Sequence, residues 1–388
     1  MSIRPRRVRR ALSSALILLL LVAATTAASS VTRLRLPEPS GPHAVGRQSV
    51  VLVDPARGEL STPDDSDRRR VPVTAWYPAI PGTGDSAGYV ENFDRIADAL
   101  VASGSVGRLE VAGLGLVIDR ARSDAEPAAT HAAFPVLILS PGNATNVQFY
   151  AGLAEDLASQ GYVVIGLDHP GQVAAADIGA GIIPYAGDPP LSEAEAEVRV
   201  RIAERVADVR FVIGQVEAEG AGIADLVGRL DLQRLGVVGH SNGGITAMAV
   251  CDDPQVRACA NLDGQLGGGP FGVAPGTGAP DNPFLFLTKE ASLHPSLEDA
   301  FEAAGRSAFR VVVSGASHGD FTDGAAFEPR MLPLDGMAEH VSTVTRGFVR
   351  AFFDHALLGA SRDVFGGVSA PTNVLVVEYP VMKDPVDA

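Results

Sequence analysis

Lysine is nearly absent from this chain. Lys289 and Lys383 are the only two in 388 residues, so arginine carries the positive charge. Lys and Arg together number 31 against 46 Asp and Glu, for a formal net charge of −15. That balance argues against nucleic-acid partners and against attraction to anionic membrane surfaces. Cysteine is scarce too, with only Cys251 and Cys259. They leave two readings open, one disulfide or two buried thiols, because spacing does not give a Cα distance. There is no Gly-rich phosphate loop of Walker type and no His, Cys and Asp cluster with metal-ligand spacing, so no cofactor is predicted. No internal repeat of fixed period occurs.

What remains is a globular composition, 46% hydrophobic and 20% charged. The length allows one large α/β domain or two small ones. Arg4, Arg6, Arg7, Arg9 and Arg10 precede an apolar run over residues 11–24, and small residues follow. This is the pattern of a cleaved export leader, and the run is too short for a comfortable transmembrane span. Residues 1–28 are therefore read as a signal peptide, which makes the mature chain secreted or periplasmic, with no integral membrane span. Its loss would take the formal charge from −15 to −20. An uncleaved N-terminal anchor is the alternative. Residues 29–45 read as a linker, 46–358 as the main domain and 359–388 as a C-terminal extension.

Along the main domain, strand-like and helix-like segments alternate. Residues 49–53 and 71–77 read as early strands. Residues 89–102 read as a helix with Phe93, Ile96, Ala97 and Leu100 on one face. The run 134–139 is continuously apolar, as for a strand buried on both faces. A helix over 147–159, a strand over 162–167 and a long loop over 170–190 follow, the loop rich in Gly, Ala and Pro. Residue 191 opens a helix ending near 219, with Ser192 and Glu195 as a capping box. Then come a strand (235–238), a helix (242–250), a strand (258–262) and a Gly/Pro-rich loop (264–280). Strands at 284–287 and 309–313, a closing helix at 336–358 and a possible edge strand at 374–377 complete the order. Such alternation implies a mostly parallel sheet with helices on both faces.

The most informative stretch is Gly239-His240-Ser241-Asn242-Gly243. It fits G-x-S-x-G between a predicted strand and a predicted helix, the setting of a nucleophile elbow in an α/β-hydrolase fold. Ser241 is the candidate nucleophile, and His240 reads as structural, its side chain directed elsewhere. A serine hydroxyl needs a base oriented by a third group. Of the later histidines, His340 and His355 fall in the closing helix and His294 precedes a proline. His318 follows the last strong strand, where open α/β sheets place their sites, and is the candidate base. Asp263 and Glu290 both end strands between Ser241 and His318, and the residues alone leave the acid open between them. Asp320 is too near His318 in sequence to face it. The oxyanion donors are the backbone N–H of Asn242 and that of Asn143, in the loop Ser140-Pro141-Gly142-Asn143-Ala144-Thr145. The glycosylation pattern at Asn143 is read as incidental, since a glycan there would block the cleft.

With these residues assembled, the chain resembles the platelet-activating factor acetylhydrolase family and its bacterial relatives, among them proteins described as predicted dienelactone hydrolases. The resemblance runs from about Val71 to Leu357. It rests on Trp76-Tyr77-Pro78-Ala79, Leu167-Asp168-His169, Asn261-Leu262-Asp263 and His318 with Phe321 and Asp323. It implies a serine carboxylic ester hydrolase working through an acyl-enzyme, on short-acyl, lipid or polyester esters. It also implies Asp263 as the acid, through the Leu-Asp context. One departure is Pro141-Gly142 where that family has His-Gly. Cutinase-like polyester hydrolases share the Ser-Pro-Gly loop but place their acid one strand later, where Lys289-Glu290-Ala291-Ser292 offers no Asp. Dienelactone hydrolases proper use Cys, and position 241 is Ser. An inactive binding protein on this fold, or a peptidase or amidase on the same triad, are the alternative functions.

Overall fold

Seven consecutive buried residues, Phe134–Ser140 (β5), can exist only in the middle of a sheet covered on both faces. The structure, a computed structural model, describes residues 36–104, 107–129, 133–190, 192–218, 224–265, 281–292, 301, 308–324, 337–360, 364–365 and 374–378. The predicted leader (1–28), His294 and most of the predicted loop 264–280 lie outside them.

Before β5 come Ala44–Gly58 (β1), Arg68–Ala79 (β2), Asp85–Gly88 (β3), helices Phe93–Ala102 (α1) and Arg108–Leu114 (α2), and Ile118–Ser123 (β4). After it come Ala151–Ser159 (α3), Val163–Leu167 (β6), the hairpin Ala175–Asp177 (β7) with Ile182–Pro184 (β8), and Ala194–Glu217 (α4). Leu230–His240 (β9), Asn242–Ala249 (α5), Val256–Leu262 (β10), Phe284–Lys289 (β11), Ala308–Val313 (β12), Met337–Leu358 (α6) and Val374–Glu378 (β13) complete the order. Among the described residues the main sheet has eleven strands, in the order β13-β12-β11-β10-β9-β5-β6-β2-β1-β4-β3. The run from β12 to β6 is parallel, and β2 and β13 join its two ends antiparallel.

The period-two alternation of the strands splits the core in two. Trp76, Leu137, Val164, Val238 and Leu285 face a cluster closed by α3 and α6. Tyr77, Val136, Ile165, Val237 and Phe286 face one closed by α4 and α5. Each half buries its apolar face only because helices cover both sides of the sheet. Cys251 and Cys259 are disulfide-bonded, with Cα atoms 5.8 Å apart, tying the end of α5 to β10. Among the described residues no helix is long and apolar enough to cross a membrane.

Several expectations are corrected. The helix predicted from residue 147 begins as a 3-10 turn, Val147–Tyr150, because Asp168 takes the Val147 N–H and fixes the entry geometry. The helix predicted from 191 starts at Ala194, with Glu193 and not Ser192 at its N-cap position, and Glu193 makes no side-chain cap. The loop 170–190 carries the β7–β8 hairpin. The helix predicted from 89 starts at Phe93, since Asn92 sits in the left-handed region.

Candidate active site

Sheet order reverses between β5 and β9: the chain leaves β5 toward β6 on one side, and leaves β9 toward β10 on the other. A crevice at the carboxyl ends of the strands is the consequence of such a switch point. Ser241 lies there, alone in the turn between β9 and α5, with φ 55° and ψ −122°. A non-glycine residue in such a region costs about 1–3 kcal/mol and persists only where its surroundings impose it. Close packing imposes it here. A Cβ at position 239 would lie 2.1 Å from the Gly243 carbonyl oxygen, and one at 243 would lie 2.0 Å from the Ser140 carbonyl oxygen. The Ser241 N–H donates to the Leu262 carbonyl, and its own carbonyl accepts from Gly244 and Ile245, which starts α5. Asn242, the first helical residue, has an N–H with no partner inside the helix.

Register brings the acid beside this turn. Leu262 pairs with His240 on one side and Leu287 on the other, so Asp263 emerges at the same sheet edge. Its Oδ2 accepts from His318 Nδ1 at 2.6 Å, its Oδ1 accepts from the Lys289 N–H at 3.1 Å, and Lys289 Nζ stands 3.5 Å away. Burial alone would raise the Asp263 carboxyl, but the His318 hydrogen bond and the nearby positive charge outweigh it and hold it below the usual range. The His318 side chain is 44% exposed and that of Asp263 fully buried, so the ring is open to solvent while its carboxylate is sealed. His318 opens a 3-10 turn, His318–Phe321, whose entry is fixed by a reciprocal Ser317–Asp320 capping box. With Nδ1 donating to Asp263, Nε2 is the acceptor of the neutral ring. Among the described residues Ser241 Oγ and His318 Nε2 are not hydrogen-bonded to each other; contacts of this kind commonly tighten only around substrate. Glu290 is exposed in a separate turn, and His340 and His355 lie on α6.

The loop after β5 completes the crevice. The Gly142 N–H is taken by the Tyr150 hydroxyl (3.0 Å) and the Ala144 N–H by the Gln172 carbonyl (2.8 Å). Pro141 has no N–H. Among the described residues this leaves the Asn143 N–H without a partner. The Asn143 side chain is engaged, donating to Tyr185 Oη at 2.6 Å and to Asp188 at 3.1 Å. A Cβ at Gly142 would lie 3.4 Å from Ser241 Cβ, so this loop abuts the nucleophile candidate. A separate cavity of about 200 Å³, lined by Thr74, Asn146 and Asp168 among others, includes neither Ser241 nor His318. Among the described residues, no cluster of three or more His, Cys, Asp or Glu side chains could hold a metal ion.

Sequence reasoning missed three features. The first is His240, whose ring does not point elsewhere. It lies 4.5 Å from the His318 ring, with Nδ1 2.8 Å from Tyr150 Oη and Nε2 3.1 Å from the His318 carbonyl oxygen. The second is Arg205, fully buried, which donates to the carbonyls of Pro141 and Gly142. The third is a second Ser-His-Asp array. Ser140 Oγ is 3.0 Å from His169 Nε2, and His169 Nδ1 is 2.9 Å from Asp208 Oδ2. Leu167-Asp168-His169 stands out in the sequence, but nothing local reveals that α4 brings Asp208 to His169.

Comparison with known proteins bears on this geometry. The platelet-activating factor acetylhydrolase, isoform II, family model matches residues 28–216. A probable 1-alkyl-2-acetylglycerophosphocholine esterase of Arthroderma benhamiae is 28% identical over 264 residues. That alignment takes in 64% of this chain and 64% of the relative's length. The solved structure of a ferulic acid esterase from Streptomyces cinnamoneus superposes with a TM-score of 0.71 at 28% identity, covering 88% of this chain and 98% of that one. The chain has an α/β-hydrolase fold and is similar to the platelet-activating factor acetylhydrolase family over residues 28–216. In this α/β-hydrolase the family stretch takes in Asn143 and ends before Ser241. The elbow, Asp263 and His318 therefore stand on their own geometry.

Proposed function

We propose that this α/β-hydrolase is a secreted serine carboxylic ester hydrolase acting through an acyl-enzyme. The observation that carries the reading is the 2.6 Å contact of His318 Nδ1 with buried Asp263, beside a serine held at a strained elbow. Ser241 Oγ attacks the ester carbonyl as His318 Nε2 takes its proton. Asp263 accepts the Nδ1–H, fixes the tautomer and stabilises the imidazolium. The Asn143 and Asn242 N–H groups receive the oxyanion, and His318 then returns the proton to the leaving alcohol. Water, deprotonated by His318, releases the acid and restores the serine.

Both relatives are named for ester hydrolysis, one on an alkyl-acetylglycerophosphocholine and one as a ferulic acid esterase. They support an ester substrate of short-acyl, lipid or polyester type. The deciding experiment is a panel of p-nitrophenyl esters of increasing acyl length beside a peptide anilide, together with fluorophosphonate labelling. Labelling at Ser241 with turnover of esters and not of the anilide is the expected result. Preference for the anilide would make the chain an amidase or peptidase, and absence of labelling would make it a binding protein. Secretion rests on residues 1–28. N-terminal sequencing of material from the culture medium should start near residue 29, and recovery of Met1 there would refute it.

A further inference from the structure

Gly142 is pinned at both ends, and the pins are buried. Its N–H donates to Tyr150 Oη at 3.0 Å, and its carbonyl accepts from Arg205 at 3.3 Å. The same guanidinium donates to the Pro141 carbonyl at 2.7 Å and, through Nε, to the Gln172 side chain at 2.7 Å. Both Tyr150 and Arg205 are essentially inaccessible to water. The Gly142–Asn143 peptide is trans, so the Gly142 carbonyl and the Asn143 N–H point in opposite directions across one rigid plane. Holding the carbonyl inward toward Arg205 therefore turns the Asn143 N–H away from Arg205.

Tyr150 is itself oriented. The His318 carbonyl can only accept, so His240 Nε2 carries the proton and donates to it. Burial, and then the charge of His318, push His240 down to about 3, so its ring is neutral and Nδ1 is an acceptor. The Tyr150 O–H must then donate to Nδ1, which leaves its oxygen lone pair for the Gly142 N–H. Burial drives the Tyr150 phenol well above its ordinary value, so it remains a donor. Every bond in the chain Gly142, Tyr150, His240, His318 thus has one permitted direction. The chain joins the loop after β5, the elbow and the loop after β12.

We infer that Tyr150 and Arg205 are positioning residues that aim the Asn143 N–H as an oxyanion donor, with His240 locking Tyr150 to the base loop. Neither side chain touches substrate. Their effect passes through one peptide plane. The inference rests on the ester-hydrolase reading above.

The test compares Tyr150→Phe and Arg205→Lys with wild type. Tyr150→Phe deletes a single oxygen and preserves the ring. Arg205→Lys keeps the charge and loses the fork. Active sites are counted by the burst with a p-nitrophenyl ester, and kcat per counted site, KM and the inhibition constant of an arylboronic acid are measured. The expected result is a fall in kcat of about 10- to 100-fold with a matching loss of boronate affinity and little change in KM, since a misaimed donor fails only when the oxyanion forms. A lower count of active sites with kcat per site and boronate affinity within about twofold of wild type would overturn it, because that is the signature of a merely structural role. If Arg205→Lys does not fold, Tyr150→Phe decides alone. A wild-type protein that is neither labelled by a fluorophosphonate nor active on any ester sinks the proposed function itself, and the positioning role with it.

Discussion

Two sets of Ser, His and Asp share this sheet edge, and in both an Asp Oδ2 holds a His Nδ1. In one, Asp263 Oδ2 holds His318 Nδ1 at 2.6 Å beside Ser241. In the other, Asp208 Oδ2 holds His169 Nδ1 at 2.9 Å and His169 Nε2 lies 3.0 Å from Ser140 Oγ. The His318 side chain is 44% exposed, and that of His169 is fully buried. Ser241 stands in a strained turn at a helix start, whereas Ser140 sits in regular register with Gly239 inside the sheet. Asp208 is also bound by Arg69, which in turn meets Glu59 and Glu204. Burial would raise the Asp208 carboxyl, but the His169 hydrogen bond and the Arg69 charge drive it well below its usual range. The buried array is a strut beneath Pro141 and Gly142. On the proposed reading, access, an oxyanion crevice and a strained serine are what fit one array for chemistry, and residue identity supplies none of these.

Exchanging the roles of the two serines is the hardest test of that contrast. Ser241→Ala should lose ester hydrolysis by about 10⁴-fold or more with the fold intact. Ser140→Ala should retain turnover per active site within about tenfold and cost about 1–3 kcal/mol of stability, because it strips His169 Nε2 of its partner. Fluorophosphonate labelling and denaturant titration of both variants check this. A labelled Ser140 would reverse the assignment.

The acids come next. Asp263→Asn should lower turnover about 10⁴-fold near neutral pH with little effect on stability. Asp208→Asn should do the opposite, destabilising by about 3–5 kcal/mol because Arg69 is left buried with its strongest partner neutralised. Glu290→Gln, exposed and outside the array, should stay within about tenfold of wild type. Kinetics and urea unfolding on the same three preparations decide between them.

The smallest effect concerns protons. Burial, and next the charge of Arg205, push His169 down to about 4, below an unfolded value of about 6.5. Over that window the unfolded chain binds more protons than the folded one, so the contribution of His169 to stability is present above about pH 6.5 and is lost as pH falls toward 4. Buried Asp168, raised to about 6, and Asp323, raised to about 7, act in the reverse sense, and His240, held near 3, acts in the same sense as His169. The clean observable is therefore a difference. His169→Gln should close its stability gap to wild type by up to about 3 kcal/mol between pH 7 and pH 4. The same scan on Glu290→Gln should show no such trend, and a gap of constant size in His169→Gln would mean that His169 titrates normally.

Most strands were legible as apolar runs bounded by turn residues; 374–377 read only as a possible edge strand, and the structure places β13, Val374–Glu378, against β12. The unread elements were short. β3 has four residues and β7 and β8 three each, too few for any period to emerge, and the seven-residue α2 and six-residue β4 went unread as well. Ser192 had the place of an N-cap in the sequence but the helix is entered through Glu193, while Ser317 and Asp320 formed a capping box around a turn too short to be sought. Of the candidate site residues, Ser241 and His318 were read from motif and order, and Asp263 from its Leu-Asp context. His240 was misjudged because adjacency along a strand turns side chains apart, yet the loop after β12 folds back over it.

By itself the sequence determined whatever depends on neighbours along the chain. The glycine at 239 is demanded by the Gly243 carbonyl within the elbow, so that part of the pattern carries its own local steric reason, whereas the glycine at 243 answers to Ser140 on the adjoining strand. The tertiary structure alone decided which Ser-His-Asp set meets water and which is entombed, and which carbonyls Arg205 grips. Solvent exposure and a hydrogen bond between positions 63 residues apart depend on how the whole sheet is covered, and no local stretch of chain encodes that.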